Sequence, residues 1–195
     1  LIELENMPSF PDDEGIIIIT DNQLSILDEF HYSENLHFEL LNSCEGVSLE
    51  RINCEWPTND PNNWHSASEN LDFATPGYRN SQHIDFKTGG KCILVKPEIF
   101  SPDNDGYNDY VNILYYFDDP GYIANITIFD AKGRIVKRLA KNTLLGTEGG
   151  FTWKGTNEEN RKASIGIYLI YTEIFDLNGK ACSFKNTCVL ASKIN

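Results

Sequence analysis

The sequence predicts an all-β protein, and three observations carry the prediction. Short runs of Val, Ile, Tyr, Phe and Thr recur between clusters of Gly, Pro, Asn and Asp. No segment keeps apolar residues at helical spacing for three turns. In the second half, seven such runs follow one another at the spacing of a β-sandwich.

In chain order, the first region offers strands at Leu1–Leu4, Gly15–Thr20, Leu24–Tyr32 and Gly46–Ile52, broken by Pro8, Pro11-Asp12-Asp13 and Asp21-Asn22. The stretch Trp56–Ser81 is polar, yet it holds Trp56, Trp64, Phe73 and Tyr78. A flexible linker does not carry so many rings, so it is expected to be an ordered loop lying on a sheet. Residues 83–92, with Gly89-Gly90, read as a linker between a β module over 1–82 and a second over 93–195. The second module offers Cys92–Val95, Tyr110–Phe117, Ala124–Phe129, Arg134–Leu139, Gly150–Trp153, Gly166–Phe175 and Lys180–Leu190. Two of its turns, Ile128-Phe129-Asp130-Ala131-Lys132-Gly133-Arg134 and Ile174-Phe175-Asp176-Leu177-Asn178-Gly179-Lys180, share one pattern. The Asp can cap the turn and the Gly can take positive φ.

Composition narrows the function. The 195 residues hold 29 Asp and Glu against 16 Lys and Arg, a formal charge of -13 that opposes phosphate backbones, so nucleic acid is not an expected partner. The longest aliphatic run, Ile16–Ile19, is far short of the roughly 20 residues a membrane helix needs, so no membrane insertion is expected. The chain opens at Leu1-Ile2 without an initiator Met or signal-peptide core and reads as a piece of a longer product. An open strand edge in the first region could pair with another chain. Five cysteines (Cys44, Cys54, Cys92, Cys182 and Cys188) show no C-x-x-C spacing, which argues against a zinc ribbon. Cys44 and Cys54 could meet across a hairpin; otherwise the cysteines read as small buried side chains.

With the strands placed, the motifs resemble two families. The run Pro97-Glu98-Ile99-Phe100-Ser101-Pro102-Asp103-Asn104-Asp105-Gly106-Tyr107-Asn108-Asp109, followed by Ile128-Phe129-Asp130, Phe151-Thr152-Trp153-Lys154-Gly155-Thr156 and Ile165-Gly166-Ile167-Tyr168, resembles the FlgD-type Ig-like domain. It is also similar to the C-terminal domains of Bacteroidetes gliding-motility proteins. Asp103 stands where that pattern usually has Asn, and Lys154 where it has Asp. The first region resembles the C-terminal part of a bacterial lamin-tail domain through Gly46-Val47-Ser48-Leu49-Glu50-Arg51, Asn63-Trp64 and Ala74-Thr75-Pro76-Gly77-Tyr78-Arg79-Asn80-Ser81. The resemblances imply two β-sandwich modules, the second Ig-like, on the outer cell surface or outside the cell. By analogy with type IX secretion substrates, they also imply a sorting role for the final strand, Phe184–Ala191.

The chemistry-bearing residues are few. Asp103-Asn104-Asp105-Gly106 matches part of a calcium loop, where hard carboxylate oxygens converge around a Gly turn; Asp103, Asp105, Asn108 and Asp109 are the candidate ligands. The competing reading is an Asx-rich turn that caps the strand at Tyr110. Trp56, Trp64 and Tyr78 could form an aromatic platform for a glycan or peptide, or could pin their loop to its own domain. His31 and His37 share parity and would share a face of a continuous strand, with His65 in the aromatic loop, but no zinc convergence is visible. Arg51 alternates away from Glu50, so no local ion pair is implied. No nucleophile elbow, phosphate loop or Cys-His context appears, and Asp118-Asp119 and Glu158-Glu159 read as solvated turn charges. The expected function is a non-enzymatic tail of a secreted or cell-surface protein serving adhesion, assembly or anchoring, with a protein or glycan partner. The alternatives are an accessory module of a secreted hydrolase with its catalytic domain upstream, or a calcium-dependent carbohydrate binder.

Overall fold

The computed structural model describes residues 9–84 and 92–192. The expected strand at Leu1–Leu4 and linker positions 85–91 lie outside the described residues. The described chain is all-β, with helical structure limited to single 3-10 turns at Glu34–Leu36, Pro61–Asn63 and Glu69–Leu71. No helix among the described residues is long and apolar enough to cross a membrane.

The first region builds two small sheets. Strands β1 (Glu14–Thr20) and β2 (Ile26–Ser33) form an antiparallel hairpin, and β3 (Leu49–Arg51) pairs antiparallel with β4 (Trp64–Ser66). β3 is shorter than its apolar run because Gly46 turns the chain at φ +76°, and the turn is closed by Val47 N–H on Cys44 O at 3.1 Å. β4 lies inside the stretch read as loop, a three-residue strand too short to show a period. The hairpin lies on this second sheet through Phe30, whose ring stacks on Trp64 with centroids 3.7 Å apart.

The second region is a two-layer sandwich. One layer orders its strands β10 (Glu148–Trp153), β7 (Val111–Tyr116), β5 (Cys92–Lys96). The other orders β6 (Ile99–Phe100), β12 (Ala181–Leu190), β11 (Gly166–Phe175), β8 (Ile123–Asp130), β9 (Ile135–Leu144). Every pairing is antiparallel except β6 with β12. β6 is invisible as a strand in the sequence because two residues between Pro97 and Pro102 carry no alternation. Residues 184–190 of the segment read as a sorting signal belong to β12, paired along its length with β11.

Period-two alternation fills the core. Val111, Ile113 and Tyr115 of β7 face Tyr168, Ile170 and Ile174 of β11, all buried. Trp153 is fully buried, edge-on to Tyr168 at 4.8 Å and to Phe100 at 5.3 Å. Its indole N–H donates to Thr156 O at 2.8 Å, so the ring buries no unpaired donor. Cys188 is buried beside this core, and desolvation pushes its thiol up to about 12; Cys44 and Cys54 are exposed and unbridged.

The recurring turn extends beyond the two copies legible in the sequence. In each of these, an Asp accepts from two backbone N–H groups, two and four residues on: Asp130 from Lys132 and Arg134, Asp176 from Asn178 and Lys180. Asp21 does the same with Gln23 and Ser25, and Asn157 with Glu159 and Arg161. The fourth residue is left-handed in all four: Gly133 at φ +77°, Gly179 at +74°, Leu24 at +64° and Asn160 at +58°. Leu24 is the costly member, because its Cβ crowds the backbone in that region. Its side chain is 81% exposed, so little packing compensates. Leu24→Gly is expected to stabilise the protein by about 0.5–1 kcal/mol, the relieved strain less the added entropy of the unfolded chain. Urea unfolding checks this; an unchanged or lowered midpoint contradicts it.

Candidate functional site

The loop from Ser101 to Asp109 leaves β6 and returns to β7. It is closed at its base by Ser101 N–H on Asn108 O at 2.9 Å. Left-handed backbone at Asn104 (φ +61°), Gly106 (+87°) and Asn108 (+51°) folds it tightly. Gly and Asn adopt this region with little penalty. The folding brings one carboxylate oxygen from each of Asp103, Asp105 and Asp109 within 4.8 Å of one another. Asp103 and Asp105 are exposed and Asp109 is half-buried.

The same carboxylates also hold the loop. Asp109 accepts from Asn104 N–H at 2.6 Å and Gly106 N–H at 2.9 Å; Asp103 accepts from Asp105 N–H at 3.2 Å and Asp105 from Tyr107 N–H at 2.9 Å. The loop thus has the hydrogen bonds of an Asx-rich turn, and its carboxylates keep lone pairs beyond them, since an ionised carboxylate offers about four lone-pair sites. An all-oxygen donor set of three carboxylates suits a hard cation such as calcium. Asn108 enters through its backbone.

The aromatic residues separate. Trp64 stacks on Phe30, and its indole N–H donates to Thr58 O at 2.7 Å, so it pins the loop to the hairpin. Trp56 is partly exposed, and its carbonyl accepts from Arg51 Nη2 at 2.6 Å. Tyr78 is 85% exposed. Among the described residues no ring contact joins any two of the three. His31 parts from the other two histidines, because β2 ends at Ser33 and a 3-10 turn follows, while His37 and His65 meet at Ser66. His31 contacts Glu29, whereas His37 Nδ1 lies 2.9 Å from Ser66 Oγ and His65 Nδ1 lies 3.0 Å from Ser66 O.

A buried, multiply bonded carboxylate on β3 does not stand out in the sequence. Glu50 is buried at 4% exposure on β3, and its carboxylate accepts from Thr75 Oγ1–H, from Ser81 Oγ–H at 2.6 Å and from Gln82 N–H at 3.3 Å. Its signal was the alternation of β3, which sends Glu50 inward and Arg51 outward. Gln82 in turn donates through Nε2 to Ser66 O at 2.9 Å and to Leu145 O of the sandwich at 3.1 Å. Thr147 N–H meets Ser81 O at 2.9 Å, and Thr147 Oγ1–H meets His83 O at 2.7 Å. Gly146 allows this approach, since a Cβ there would lie 2.3 Å from Ser81 O. Apolar contact completes the joint, with Phe38 packed on Ile123 and Leu144.

No protein-family model matches the chain, and no curated protein matches it in sequence. Among solved structures, it is similar to PorZ, described as an essential bacterial surface component of the type-IX secretion system of Porphyromonas gingivalis. That alignment has 19% identity and a TM-score of 0.34, and covers 51% of this chain and 11% of PorZ. It is also similar to CopC from Methylosinus trichosporium OB3b, at 15% identity and a TM-score of 0.37 over 54% of this chain and 97% of CopC. The chain thus spans about a tenth of the length of PorZ.

His65 links this joint to pH. Its ring lies 5.2 Å from that of Phe38, and burial depresses its pKa below the ordinary 6.5, outweighing its hydrogen bond to Ser66 and the nearby Glu50 charge. Burial lowers His37 too. Stability is therefore complete above the ordinary imidazole range and is lost as the pH falls through it, because the unfolded chain takes up the proton first. Melting temperature is expected to fall between about pH 7.5 and pH 5, and to fall less in His65→Phe. An identical pH profile in the variant contradicts the assignment.

Proposed function

We propose that this chain is a non-enzymatic module of a secreted or cell-surface protein, serving adhesion or assembly outside the cell, with calcium held at the 103–109 loop. The carrying observation is the convergence of Asp103, Asp105 and Asp109 on a loop that the sandwich presents to solvent. Calcium modules outside cells work with dissociation constants of about 0.1–1 mM, which a solvent-facing set of three carboxylates is suited to give. Asn108 closes the loop and is the fourth candidate ligand.

The titratable groups support the same reading. Glu50 is tied to three donors and Cys188 is pushed up by burial, so both serve packing rather than acid, base or nucleophile chemistry. The partner class is a protein or glycan of the cell surface. Exposed Tyr78 and Trp56 are available for apolar contact, while Trp64 is occupied.

Calcium titration of the purified chain tests the proposal, read by melting temperature and by retention on intact bacterial cells. Calcium at about 100 times its dissociation constant should add about 2.7 kcal/mol, or roughly 5–10 °C in a chain of this size. Asp105→Asn should remove most of that rise, and chelation should release bound protein from cells. A melting temperature unmoved by millimolar calcium overturns the metal, and cell retention that ignores chelator overturns its link to adhesion.

A further inference from the structure

Two solvent-facing apolar surfaces lie in different halves of the molecule, in different electrostatic settings. On the hairpin, Ile17 and Phe30 share the face turned to Trp64, so Ile16 and Ile18 point the other way, 59% and 49% exposed. Their cross-strand partners are His31 and Glu29. Ile26, also exposed, extends this surface towards the turn. On the sandwich, the outer face of the five-stranded sheet carries aligned apolar rows. Strand register places Ile99, Val189 and Ile167 in one row, and Leu169, Phe129 and Ile135 with Thr187 in the next. Phe129, Ile167, Leu169 and Tyr171 line a shallow depression there. The following row ends in exposed charge at both sides: Lys185, Tyr171, Thr127, Arg138.

Charge divides the chain along the same line. Residues 1–84 carry 16 Asp and Glu against 2 Lys and Arg, net -14; residues 85–195 carry 13 against 14, net +1. Glu14 and Glu29 lie on the hairpin surface beside Ile16 and Ile18, and Lys185 and Arg138 on the sheet face, where Arg138 pairs with Glu158 and Glu173 sits one row further on. The acidic hairpin patch repels a copy of itself and is better matched by the near-neutral sheet face with its exposed Lys185. Two sheets can pack face to face at about 10 Å through such side chains. Exposed apolar patches of this kind mark interaction sites.

We propose that the occupant of each face is the other face of a second copy: the β1–β2 hairpin of one molecule docks on the outer face of the five-stranded sheet of the next. Like charge opposes hairpin on hairpin, so the contact is heterologous, head to tail, and adds copies into a ring or an open filament according to the rotation between them. It goes beyond the adhesion reading and does not depend on the calcium loop.

The test is sedimentation equilibrium of the full chain with paired variants, each checked for folding by circular dichroism. The wild type should rise above its 22.1 kDa monomer mass with increasing concentration. Ile18→Asp, on the hairpin, and Ile167→Asp, on the sheet, should each remain monomeric. Mixed, they should form a 1:1 dimer that grows no further, because one supplies an intact sheet face and the other an intact hairpin. Ile16→Lys and Ile135→Asp provide a second pair should either first variant fold poorly. A wild type that stays monomeric at every concentration overturns the proposal. So does a mixture that stays monomeric, or a single variant that still self-associates like the wild type.

Discussion

A single buried carboxylate organises how the two halves of this protein meet. Glu50 faces inward from a three-residue strand and is held by Thr75, Ser81 and Gln82. Those bonds fix the segment that then reaches the sandwich at Leu145 and Thr147. Desolvating a charge is costly unless donors surround it, so the segment must adopt this path or leave the carboxylate unpaired. Gly146 leaves the space that the path requires.

The neighbouring residue performs the complementary task on the opposite side of the strand. Arg51 points outward, lies 3.5 Å from Asp28 of the hairpin and donates to the carbonyl of Trp56. Thr58 donates to the same Asp28, and Asn59 accepts from the backbone of His31. One step of strand alternation therefore directs one charge towards the sandwich and one towards the hairpin. This explains why a region whose described residues form only two small sheets stays ordered: its long loops are tied by side chains rather than by ladders. It also leaves the far face of the hairpin uncovered, with its isoleucines in water.

Much of the sandwich was legible because its strands are long enough to show a period. β7, β8, β11 and β12 were all readable as apolar runs, and the Asp-x-x-Gly turns announced two hairpins. β4 and β6 were not, since strands of three and two residues carry no alternation and owe their place to tertiary contacts. The breaks at Asp21 and near Glu158 were legible, but their kinship with the Asp-x-x-Gly turns was not, because Leu24 and Asn160, not Gly, take the left-handed position. At the site, Asp103, Asp105 and Asp109 were found by spacing, and the backbone at Asn104, Gly106 and Asn108 brings them together. Trp64 was found as an aromatic, but its partner Phe30 is 34 residues away and no local pattern reveals that stack. The burial of Glu50 was not legible, because a lone acid in a short strand looks solvated until its three donors, 25 to 32 residues on, are folded against it.

Calorimetric unfolding of Glu50→Leu beside the wild type tests this account most directly. Removing the carboxylate leaves two buried donors, Ser81 Oγ–H and Gln82 N–H, unsatisfied at about 1–3 kcal/mol each, and frees the half-buried Thr75 hydroxyl, without touching the sandwich core. The account predicts one cooperative transition in the wild type and two in the variant, the first and lower one belonging to the region before Gln82. A variant that melts in one transition at the wild-type temperature would contradict it.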